Sequence, residues 1–120
     1  MKIGSRGLQE ADLVIAQGCS LDFLVIPRDE EGNVLQLSAV RMALQRGDGT
    51  GTLPLSDHCS ASAEGITVSI PASVTRDIDA GWMVWDMIVD TSTGDSTCIL
   101  YGSVTVYDTY AKDEDDGDDS

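Results

Sequence analysis

A chain of 120 residues of which 42% are hydrophobic can build one core but not two, so a single folded domain is expected. Its 21 acids against seven Lys and Arg give a formal net charge of -14, which disfavours nucleic acid as a ligand, because gripping a phosphate backbone needs clustered cations. No apolar run approaches the roughly 20 residues of a membrane span, so no membrane partner is expected either.

Twelve glycines and only three prolines, set mostly between short β-rich runs, fit many turns better than long helices and point to an all-β class. In chain order, residues 1–11 read as an N-terminal arm. Leu13-Val14-Ile15-Ala16 is a first strand, broken by Gly18. Residues 20–28 alternate, with Leu21, Phe23 and Val25 on one face and Pro27 marking an edge or a strand end. Asp29-Glu30-Glu31-Gly32-Asn33 carries the chemistry of a reversal.

From Leu35 to Gln45, apolar Leu35, Leu37, Val40, Met42 and Leu44 recur at strand spacing, with Arg41 and Gln45 directed away. The Ala, Met, Leu, Gln and Arg content also suits a short helix, but the GDGTG segment that follows is a hairpin signal and favours a strand. Thr52-Leu53-Pro54-Leu55 reads as an edge strand. Ile66-Thr67-Val68-Ser69-Ile70 is the cleanest alternation, that of a half-buried strand. Residues 71–79 read as one helical turn with Pro71 or Ser73 near its start.

Residues 82–90 and 97–107 are long β-rich runs joined by a Thr91-Ser92-Thr93-Gly94-Asp95-Ser96 connection, so they pair antiparallel. Met83, Trp85, Met87 and Val89 share a core face in the first; Cys98, Leu100, Gly102, Val104 and Val106 do so in the second. The expected fold is an antiparallel β-sandwich over 12–110, immunoglobulin-like in size, with about seven strands and one short helical turn. Residues 111–120 read as a disordered, self-repelling tail, because Asp113, Glu114, Asp115, Asp116, Asp118 and Asp119 put six acids in the last eight positions.

Candidates for chemistry are few. The single histidine, His58, sits beside Cys59 in a Ser-Asp-His-Cys loop, but neighbours in sequence usually point apart, so no catalytic pair is expected. Cys19, Cys59 and Cys98 cannot all pair within one chain and match no zinc or redox spacing; they read as buried or half-buried free thiols of a protein folded in cytoplasm. MKIGSRGLQE lacks the apolar stretch of a signal peptide, in keeping with that compartment. The acidic tail offers oxygen ligands without the order of a calcium loop, so no metal site and no cofactor is expected.

Asp86 stands out inside an apolar strand. Alternation places it with Trp82, Val84 and Ile88 on the face opposite the core, and two readings stay open. These four residues form an exposed interaction surface, or a second layer covers them and Asp86 pairs with a cation such as Arg41.

Several segments together resemble small β-sandwich structural domains of tailed-bacteriophage virion proteins, of the tail-fibre, baseplate-attachment and minor structural type. They are Gln17-Gly18, Arg28-Asp29 with Gly32-Asn33, Gly65-Ile66-Thr67-Val68-Ser69-Ile70-Pro71, Gly81-Trp82-Met83-Val84-Trp85-Asp86 and Leu100-Tyr101-Gly102-Ser103-Val104-Thr105-Val106. The resemblance implies a non-enzymatic virion protein, made in the host cytoplasm, that attaches one virion component to another. Other virion proteins would be its partners, in a homo-oligomer or symmetric array, with no small-molecule substrate. Capsid decoration or a head-fibre role is the near alternative. Charge alone suggests a remoter one, an acidic nucleic-acid mimic that occupies a basic host protein.

The tail holds no apolar residue to bury, so a chain truncated after Lys112 is expected to melt at the same temperature as the full chain or slightly higher. A melting point several degrees lower, by calorimetry, would show that the tail docks on the body.

Overall fold

The computed structural model describes residues 8–29 and 31–111. The expected tail beyond Ala111, and most of the expected arm, lie outside the described residues.

Nine strands appear among the described residues: β1 (Gln9–Glu10), β2 (Leu13–Ala16), β3 (Leu21–Val25), β4 (Leu37–Arg46), β5 (Thr52–Pro54), β6 (Cys59–Ser62), β7 (Gly65–Ile70), β8 (Gly81–Thr91) and β9 (Ser96–Tyr107). One helical turn, α1 (Ala72–Thr75), follows Pro71, and a short 3-10 turn spans Ser56–His58. The class is all-β, as expected. Two additions bring the count above seven: β1 falls inside the segment read as an arm, and β6 opens at Cys59, in a stretch read as loop. Cys-Ser-Ala-Ser has no branched or aromatic residue to announce a strand; it becomes one by pairing antiparallel with β7.

The strands form two sheets. The larger runs β1-β9-β8-β4-β5, with β2 continuing β1 along β9, and the smaller runs β3-β7-β6. All neighbours are antiparallel except β1 and β2, which lie parallel to β9. The reversal at 29–34 is closed by a bond from the Asp29 amide to the Asn33 carbonyl, with Gly32 at φ 89°. That positive φ is easily held only by glycine.

The core fills the space between the sheets. Met83, Trp85, Met87 and Val89 of β8 are buried with Met42 and Leu44 of β4, Ile15 of β2, and Val104 and Val106 of β9. Ile66, Val68 and Ile70 of β7 belong to the same cluster, and Leu21, Phe23 and Val25 of β3 pack against it. The inward face of β9 needs one correction. A register shift between Met87 and Ile88 sets Leu100 opposite Met87 but Cys98 opposite Ile88. Ile99 is the extra residue of this bulge, and it is buried. Cys98 is thereby turned to the outer face, where strict alternation would have put it inside.

Four hydrogen bonds bind the periphery to this core. The buried Thr75 hydroxyl donates to the Cys19 carbonyl at 2.8 Å and accepts from the Gly18 amide at 3.1 Å. The Gln17 side-chain amide donates to the Ile78 carbonyl at 2.7 Å, and the Thr109 hydroxyl donates to the Gln17 carbonyl at 2.6 Å. The helical turn and the end of the domain are thus both fastened to the β2–β3 turn.

Trp85, 3% exposed, is the largest side chain in the core. Its ring meets Phe23 edge-on, centroids 6.3 Å apart and planes at 80°, and its indole N–H donates to the Ala11 carbonyl at 2.7 Å. That carbonyl passes directly over Gly102, the cross-strand partner of Trp85: a Cβ at position 102 would lie 2.0 Å from it.

Trp85→Ala is expected to cost about 3 to 5 kcal/mol in denaturant unfolding, as large-to-small core changes do, and Trp82→Ala clearly less. Gly102→Ala adds a single methyl group yet should cost about 1 to 3 kcal/mol or more, because the N-terminal strand must be pushed off β9. Equal, small losses at both tryptophans would mean that the faces of β8 are reversed.

Candidate interaction surface

The outer face of the larger sheet is assembled by register. Trp82, Val84, Asp86 and Ile88 alternate with the buried residues of β8 and so share that face, as the sequence predicts. Beside them on β9 stand Thr105, Ser103, Tyr101 and Cys98, in that order, and on β4 stand Gln45, Ala43 and Arg41 opposite Val84, Asp86 and Ile88. The parallel strands extend the face with Glu10 beside Tyr101 and Val14 beside Thr105. Val14 (59%), Trp82 (58%), Tyr107 (56%) and Tyr101 (41%) are exposed on it, while Val84 and Ile88 are half-buried.

No strand of the smaller sheet covers this face, because that sheet lies on the opposite side. Asp86 is exposed, so a covered Asp86 paired with Arg41 is not what the fold contains. Arg41 takes Asp90 as its partner, at 2.6 Å. Arg41 stands opposite Ile88, two positions from Asp86 and from Asp90 alike, and the Ser96 hydroxyl joins it at Asp90, accepting from Arg41 at 3.4 Å and donating to Asp90 at 2.6 Å. Trp82 is not free on every side, since its ring rests over Gly47, where a side chain would collide with it.

The charges on this face perturb their neighbours. The Ser96 hydroxyl, donating at 2.6 Å, and then the Arg41 guanidinium hold the Asp90 carboxyl below its ordinary value. Burial, and next the Asp86 carboxylate, push the Cys98 thiol up. Asp12, between β1 and β2, accepts from both the amide and the hydroxyl of Ser103 in mid-β9, at 3.2 and 3.0 Å.

The Ser-Asp-His-Cys stretch behaves otherwise. His58 closes the 3-10 turn, while the Cys59 thiol turns to the Leu55 carbonyl at 3.7 Å and the Met42 sulfur at 3.8 Å. Burial raises this thiol too. Cys19 is exposed rather than buried, because it sits in the turn after β2 with only its backbone engaged. A surface cleft of about 270 Å³ is lined by Val25, Pro27, Leu35, Ile99 and their neighbours. Among the described residues no three potential metal ligands gather, and no helix is long and apolar enough to cross a membrane.

The sequence names only the β8 part of the surface. Val14, Tyr101, Tyr107 and Glu10 join it through pairings that no local pattern encodes, although Tyr101, Ser103, Thr105 and Tyr107 do alternate on one face of β9.

No family model matches the chain, and no curated protein matches it. Among solved structures it is similar to the 2,6-sialyltransferase of Photobacterium sp. JT-ISH-224, crystallised with the donor product CMP and the acceptor substrate lactose. That likeness has a TM-score of 0.41 at 12% identity, over 87% of this chain and 19% of the other. It carries no argument about activity.

Asp90 has a depressed value in the fold, so whatever stability it contributes is present above the unfolded value and is lost as pH falls through the folded one. Ser96→Ala removes the larger cause and is expected to raise the Asp90 midpoint towards the ordinary aspartate value in a carbon-detected NMR titration. An unmoved midpoint would assign the shift to Arg41 alone.

Proposed function

We propose that the chain is a non-enzymatic structural protein of a tailed-bacteriophage virion, an assembly or attachment module of the tail or its fibre and adsorption apparatus. The observation that carries this reading is the outer face of the larger sheet, where Val14, Trp82, Tyr101 and Tyr107 are all exposed and, among the described residues, no other strand or helical turn lies over them. Monomeric proteins rarely leave so many large apolar groups together on one surface, and a neighbour is the simplest cover. The resemblance to virion domains adds to it, because its two most distinctive segments, Gly81 to Asp86 and Leu100 to Val106, lie side by side on β8 and β9 at this face. In a symmetric particle, many copies make modest interfaces sufficient.

Mass spectrometry of purified particles, with stoichiometry, tests the reading directly. Low copy number favours the tail apparatus, and a copy number near that of the capsid protein favours decoration or a head fibre. Absence from particles, together with tight binding to a basic host protein, favours the nucleic-acid mimic.

Val84→Glu is expected to lower the copy number in particles while leaving the free domain folded, since Val84 is on the outer face. Particles that carry the variant at the normal copy number would remove this surface as the attachment site.

A further inference from the structure

The charges set among the apolar groups of this face specify the chemistry of what covers it. Register places Glu10, Tyr101 and Asp86 in one row across β1, β9 and β8. Neighbouring strands lie about 4.7 to 4.9 Å apart, so the exposed Tyr101 stands in register between two carboxylate-bearing positions. Neither Glu10 nor Asp86 has an ion-pair partner among the described residues. Arg41 is the one cation the register puts on this face among those residues, and Asp90 holds it.

We propose that the face docks a protein partner whose contact surface carries Lys or Arg side chains around an apolar centre, one of these cations seating over Tyr101 between Glu10 and Asp86. This rests on the docking reading given above and names its partner's chemistry. A cation there gains from the face of the ring and from charge-assisted bonds to both carboxylates. The apolar centre covers Trp82, Val84 and Ile88. A second copy of the chain is a poor occupant of the same face, because a twofold contact presses this face, with its two unpaired carboxylates, on its own equivalent, in a chain where acids outnumber bases by 21 to seven. The basic partner is also drawn in over distance, so its association slows as salt rises.

The test uses particles assembled without this protein and the purified chain added back over a range of sodium chloride concentrations. The wild type is expected to bind with marked salt dependence. A Glu10→Gln, Asp86→Asn double variant should bind roughly tenfold or more weakly, with a flatter salt dependence. Tyr101→Ala should bind roughly thirtyfold more weakly, as loss of a central aromatic anchor does. Melting temperatures report that both variants remain folded. If the carboxylate variant binds as the wild type does, with the same salt dependence, the cationic partner is wrong while docking through Val84 stands. If the wild type itself does not bind, the virion reading falls and takes this one with it. Sedimentation of the chain alone gives the remaining outcome: self-association abolished by Tyr101→Ala overturns the basic partner in favour of a second copy.

Discussion

The structure depends on one close approach. The Ala11 carbonyl occupies the space that any side chain at position 102 would fill, and the buried indole of Trp85 donates to it from below. A tryptophan N–H in a core must find an acceptor or lose its desolvation energy. Here the acceptor comes from the backbone of a segment that sequence distance separates by 74 positions. Gly102 permits the approach, and Trp85 anchors it. The consequence is that the N-terminal segment lies along β9 for the length of β1 and β2, so β9 is a central strand rather than an edge.

That placement also decides what the outer face contains. Without β1 and β2 the face would end at β9, with Tyr101 at its rim. With them, Tyr101 is flanked on both sides, and Val14 and Glu10 join the surface. The asymmetry of the sandwich does the rest. The three strands of the smaller sheet can cover only one side of the larger sheet, and the helical turn fastened by Thr75 and Gln17 packs at the periphery of that same side. The inner face is therefore buried, and among the described residues no strand or helical turn lies over the outer face.

Much of this was legible in local pattern, for a simple physical reason. Period-two alternation reports directly on which side of a sheet a residue occupies, so Met83, Trp85, Met87 and Val89 were separable from Trp82, Val84, Asp86 and Ile88 before any pairing was known. The same logic failed at Cys98, because a single extra residue at Ile99 reverses the parity of everything before it. It failed at β6, where the strand exists only through its pairing with β7. It was silent on β1, a two-residue strand whose reason to exist is a tryptophan far along the chain. Pairing of Arg41 with Asp86 was a sound electrostatic expectation, but Arg41 lies as near in register to Asp90, and there it also meets Ser96, a residue of the next strand that no local pattern brings in. The half of the candidate surface contributed by one strand was thus readable, and the half contributed by neighbouring strands was not.

The mixture of apolar and acidic groups on the outer face reconciles two demands. An uncovered sheet face of aromatic and branched residues alone would invite the free chain to aggregate. Carboxylates at Glu10, Asp12, Asp86 and Asp90, in a body already acidic, keep copies apart. The same carboxylates then act on the choice of partner. A neutral apolar surface pressed on this face would strip water from Glu10 and Asp86 without supplying counter-charge, and an uncompensated buried charge is costly. A surface with cations at those positions removes that penalty and keeps the gain from covering Trp82, Val84 and Ile88. Selectivity therefore comes less from the strength of any one contact than from the cost the carboxylates impose on every partner that lacks the matching charge.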